Sequence, residues 1–110
     1  MTLSPAVAST DDSTKCLCVK DLKPIAKNVQ VQLNWTKVAG ASCYNVYRST
    51  SPNVALVAGN RVATCVGAVY ALWVDTHVVN GTKYYYKVTE VVSGNEVCNS
   101  AEVSVTPNRR

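Results

Sequence analysis

The chain has 110 residues, 47% hydrophobic and 16% charged, a length that encloses one modest core and a balance that excludes disorder. Its 11 basic and 7 acidic residues leave a charge of +4, but the basic ones are scattered and only Arg109 and Arg110 adjoin, so no stripe marks a nucleic-acid-binding surface. Val dominates the apolar set, beside six Tyr, two Trp and no Phe, and this β-branched and aromatic bias points to strands.

Residues 1–15 are rich in Ser, Thr, Ala and Asp without periodicity and are read as a flexible arm or linker. They lack the charged start and apolar run of a secretory leader, so either a leader has been removed or the chain is not exported. The domain proper is expected over 16–107, with 108–110 a basic tail. The clearest alternation is Val29–Thr36, with Val29, Val31, Leu33 and Trp35 on one face. Ser42–Ser49 predicts the next strand, Tyr44 and Val46 inward, Asn45 and Tyr47 outward.

The apolar stretch Val54–Val74 predicts two or three short strands around Gly59-Asn60 and Gly67. Gly59, Asn60 and Arg61 break it, so no membrane insertion is expected. An edge with so few charges invites a partner, which makes Val54, Leu56, Val57, Val62, Val66, Val69 and Tyr70 the candidate interaction surface. After the Asn80-Gly81 turn, Thr82–Val92 predicts a long strand with Tyr84, Tyr86 and Val88 on one face. Ser93-Gly94-Asn95 forms a hairpin turn, and Val97–Thr106 is the last strand before Pro107. The fold class is all-β, a seven-stranded antiparallel β-sandwich.

Five segments in register, Val31–Trp35, Val38–Arg48, Trp73–Thr76, Asn80–Tyr86 and Ser100–Pro107, resemble bacterial-type fibronectin type III domains over residues 19–107. The resemblance implies an immunoglobulin-like topology with strands A, B and E in one sheet and C′, C, F and G in the other. Trp35 takes the place of the buried core tryptophan, Tyr84 that of the tyrosine corner, and Tyr44, Val46, Trp73 and Tyr86 join them as core residues. The family's Arg-Gly-Asp tripeptide is absent. Glu90 falls in phase with the core row, where a small apolar residue is usual, and is expected to reach water or a Lys as the strand ends; a perturbed functional acid is the alternative.

Cys16, Cys18, Cys43, Cys65 and Cys98 also depart from the family, and on the implied topology all five gather at one pole. Disulfides Cys43–Cys65 and Cys98 with Cys16 or Cys18 are the preferred reading, with one thiol left over. Reduced, packed cysteines and a metal site remain as alternatives. Against metal, Cys16-Leu-Cys18 is closer-spaced than a zinc knuckle and the single histidine, His77, lies at the opposite pole, so neither metal nor cofactor is expected. Asp75 is near His77, but no nucleophile stands in a strained elbow, so the chain is read as no enzyme.

The function expected is a non-catalytic structural or interaction module mediating protein or surface attachment within a larger exported protein, outside the cell or on its surface. One alternative is a structural subunit such as a virion decoration or tail protein. Another is a carbohydrate-binding accessory module using Tyr47, Tyr70 and Tyr85. The partners implied are a protein, a second copy of the chain or a glycan.

Overall fold

Alternating apolar residues in a Val- and Tyr-rich chain can bury one face only by stacking two sheets. The computed structural model describes residues 17–109 and shows that arrangement. The expected arm, Cys16 and Arg110 lie outside the described residues. One sheet contains β2 (Lys23–Lys27), β3 (Gln30–Asn34) and β6 (Leu72–Asp75), in the order β2-β3-β6. The other runs β1 (Leu17–Val19), β8 (Asn95–Ser100), β7 (Tyr84–Val92), β4 (Cys43–Ser49) and β5 (Arg61–Val66), with β9 (Val103–Val105) pairing β7 beyond the end of β8.

These are the implied A-B-E and C′-C-F-G sheets, with nine strands among the described residues where seven were expected. Two local events account for the difference. The last strand breaks at Ala101–Glu102, where the Ser100 hydroxyl accepts from the Val88 N–H at 2.9 Å and donates to the Ala101 carbonyl at 2.8 Å. Glu102 turns aside and accepts from the N–H groups of Asn53 and Val54 at 3.0 and 2.7 Å. The second event is at the start of the described chain: β1 pairs β8 in parallel, a departure from the all-antiparallel expectation, before the chain crosses to the other sheet as β2.

The core is Val19, Val31, Leu33, Trp35, Tyr44, Val46, Val78, Tyr84, Tyr86 and Val88, with Trp73 half-buried at its margin. Burying each large side chain stabilises by roughly 1.5–3 kcal/mol. Val29 is not among them: its φ of 47° places it in the turn between β2 and β3, and it is 48% exposed. The outward Asn45 and Tyr47 are also corrected, for both are buried beneath a polar net on the outer face of β4. At the far end of the core row, the Tyr84 hydroxyl accepts from the Val79 N–H at 2.9 Å, closing the loop between β6 and β7.

Trp35 and Tyr44 meet edge to face with centroids 5.1 Å apart. Gly67 lets the chain pass over this pair at a φ of 75°, and a Cβ there would come within 2.7 Å of Trp35 Cζ2. Left-handed strain and overpacking act together at this position. Gly67→Ala is expected to lower unfolding free energy by about 2–4 kcal/mol, measured by urea denaturation with the disulfides intact. A change under about 0.5 kcal/mol would show that the close approach does not constrain the core.

Candidate functional site

The strand pattern places three groups of polar side chains within or against the sheets. The first joins the two sheets at the end carrying the tyrosine corner. Asp75, at the end of β6, is 1% exposed and accepts from Arg48 Nη1 of β4 at 2.7 Å, from the Tyr86 hydroxyl of β7 at 2.8 Å and from the His77 N–H at 3.0 Å. Arg48 also lies 5.4 Å from the centroid of the Tyr84 ring. Burial, reinforced by the bond to Asp75, drives the Tyr86 hydroxyl far above its ordinary value, so it remains a proton donor. Arg48, Val62, Trp73, Asp75 and His77 line an open cleft of about 370 Å³ here. The cleft offers an aromatic edge and a guanidinium, but its carboxylate is already occupied by structural bonds.

The second group covers the outer face of β4, β7 and β8. Glu96 accepts from Asn45 Nδ2 at 2.8 Å, from the Thr89 hydroxyl at 2.8 Å and from the Tyr47 hydroxyl. Asn45 Oδ1 accepts in turn from the Cys65 N–H at 2.8 Å. Burial and then the bond to Glu96 raise the Tyr47 hydroxyl. For Glu96, burial pushes upward, but the bonds from Tyr47, Asn45 and Thr89, aided by the Arg61 charge, outweigh it and hold the carboxyl below its usual range.

The third group lies at the cysteine end. Cys18–Cys98 and Cys43–Cys65 are disulfide-bonded. The ladder brings them together: Cys43 pairs with Val91, and Glu90 with both Tyr44 and Cys98. Cys65 has a φ of 54°, a left-handed backbone held by its disulfide and by Asn45. Glu90, expected to reach water or a Lys, is only 7% exposed, because β1 and β8 continue over it. Its Oε1 lies 3.0 Å from Cys18 Sγ and 3.1 Å from Cys98 Sγ.

The proposed apolar surface divides. Val54 is buried, its N–H held by Glu102, and Val62 and Val66 pack half-buried against the core. Leu56, Val57, Val69 and Tyr70 remain exposed, Tyr70 by 77%. Of the three tyrosines considered for glycan contact, Tyr47 is buried and Tyr85 is half-buried under Lys83, whose Nζ lies 5.6 Å from the ring centroid. Glu96 and Asn45 were missed by the sequence reading; a Glu opposite buried outward polar residues becomes visible only once the hairpin register is known. Among the described residues, no helix is long and apolar enough to cross a membrane.

A Fn3-like protein from Clostridium thermocellum matches with a TM-score of 0.69 and 31% identity, over 84% of this chain and 93% of that one. The chain belongs to the fibronectin type III-like domains. No protein-family profile matches it. An amylopullulanase of Thermoanaerobacter thermohydrosulfuricus is 40% identical over 91 residues, 81% of this chain but 6% of the relative. One from Thermoanaerobacterium saccharolyticum is 33% identical over 110 residues, 97% of this chain and 8% of the relative. The fibronectin type III-like chain thus spans less than a tenth of the length of these relatives. It also matches a β-1,2-glucanase from Parabacteroides distasonis at a TM-score of 0.68 and 26% identity, over 86% of this chain and 13% of that one.

The depressed Glu96 carboxyl has a pH consequence. Its folded value lies below the usual 4.5, so the unfolded chain binds the proton more readily. The stability due to this net is complete above that value and is lost as pH falls through the folded one. Between about pH 5 and pH 3, the urea midpoint of the native protein should fall more steeply than that of Glu96→Gln. Parallel slopes would show that the net leaves the carboxyl unperturbed.

Proposed function

We propose that this domain is a non-catalytic accessory module of a larger exported carbohydrate-active protein, where it spaces and attaches neighbouring domains. The observation that carries this reading is the match of a single domain-sized segment to a small fraction of two amylopullulanases. The chemistry of the chain supports it. Asp75 and Glu96 are engaged in bonds that join strands, and His77 is an exposed loop residue whose Nδ1 lies 3.4 Å from the neighbouring Thr76 hydroxyl. The hydroxyl beside that imidazole is that of its own chain neighbour on an exposed loop, at a long distance for an activated nucleophile.

Two disulfides in a domain of this size suit an oxidising compartment, which supports an extracellular or cell-surface location. The virion alternative draws no support from the relatives. Leu56, Val57, Val69 and Tyr70 are the residues offered to a neighbouring domain or a second copy, since they are apolar and exposed.

A glycan-binding role is the second reading, favoured by the cleft that Trp73 shares with Arg48 and His77 and by the exposed Tyr70 ring. One experiment separates the readings: the oxidised chain is assayed for reducing-sugar release from pullulan and for retardation by pullulan in native affinity gels. The spacer reading predicts no release and unchanged mobility. Retardation abolished by Trp73→Ala or Tyr70→Ala would favour the glycan role, and sugar release by the purified domain would overturn the non-catalytic reading.

A further inference from the structure

Glu90 is a buried carboxyl whose only hydrogen-bonding neighbours among the described residues are sulfur atoms, Cys18 Sγ at 3.0 Å and Cys98 Sγ at 3.1 Å. While these sulfurs are bonded to each other neither carries a proton, so neither can donate. Among the described residues, Glu90 Oε1 is therefore left without a hydrogen-bond donor, a costly state for a carboxyl oxygen in a residue only 7% exposed. Something that binds both thiolate and carboxylate would relieve it.

We propose that, once the Cys18–Cys98 bond is reduced, Cys18 Sγ, Cys98 Sγ and Glu90 Oε1 hold a thiophilic divalent cation of the zinc class. The three ligand atoms already lie within 4.8 Å of one another, and no other such group of three occurs among the described residues. Two thiolates and a carboxylate form a donor set that tetrahedral Zn²⁺ accepts, with water in the fourth position. The sulfurs must part to about 3.8 Å, the edge of a tetrahedron with Zn–S bonds of about 2.3 Å. The ladder brings the ligands together, since Glu90 and Cys98 are paired across β7 and β8, and Cys18 sits at a register shift of β1 alongside β8. Cys18 and Cys98 are only half-buried, which leaves a route from solvent. Among the described residues, Cys43–Cys65 has no carboxylate partner of this kind.

The chemistry balances. A phosphine takes the oxygen of one water and leaves as its oxide, passing two electrons to the disulfide while the two protons of that water go to the sulfurs. The cation then displaces both thiol protons, and the Glu90 carboxylate joins it. The bound ion would hold β1 on β8 under reducing conditions, where the disulfide does not survive.

The test is a Co²⁺ titration of the full chain, oxidised and phosphine-reduced, followed by the thiolate-to-cobalt charge-transfer band and by displacement with Zn²⁺. Circular dichroism checks that each form remains folded. The reduced chain should bind one equivalent with the band present, and the oxidised chain none. Cys98→Ser should abolish the band, Glu90→Gln should weaken binding about tenfold or more, and Cys43→Ser with Cys65→Ser should retain it. Equal binding by oxidised protein, no band in folded reduced protein, or a band lost in Cys16→Ser and unchanged in Glu90→Gln would overturn the proposal.

Discussion

The two sheets are tied together by a buried charge. Asp75 belongs to the smaller sheet, yet two of the three groups that satisfy it, Arg48 and Tyr86, come from the larger one. Apolar packing alone permits some sliding of one sheet over another, because burial is indifferent to direction. A carboxylate only 1% exposed is not indifferent: displaced from its donors, it would lose hydrogen bonds without regaining water. The His77 N–H and the Tyr84 hydroxyl then fix the loop that joins β6 to β7.

The opposite end is held covalently. Cys43–Cys65 joins β4 to the edge strand β5, and Cys18–Cys98 fastens β1 to β8, spanning sequence separations of 22 and 80. Each bridge would stabilise by roughly 2–4 kcal/mol, more for the longer loop in the chain-entropy account. The domain is therefore constrained at both poles, by charge at one and by disulfides at the other, with an aromatic and β-branched core between them.

Much of this was legible in the sequence. Period-two alternation located β3, β4 and β7, and the turn residues located the hairpins, because side-chain alternation and turn chemistry are local properties. What escaped was set by contacts distant in sequence. Tyr47 reads as a solvent-facing strand residue until Glu96, 49 positions away, is folded over it. Val54 reads as surface until Glu102 draws its backbone inward. Glu90 reads as the wet end of a strand until β1 arrives from the other end of the chain to cover it. Val29 failed for a different reason, a left-handed turn residue continuing an apolar alternation by coincidence.

The central claim is that the buried polar groups serve architecture. Asp75→Asn tests it most directly, since it keeps the shape of the side chain and removes the charge that Arg48 faces. Urea unfolding of the oxidised protein, at a pH where carboxylates are ionised, should show a loss of about 3 kcal/mol with a native-like near-ultraviolet spectrum retained. A loss of less than about 0.5 kcal/mol would contradict the account and free Asp75 for another role.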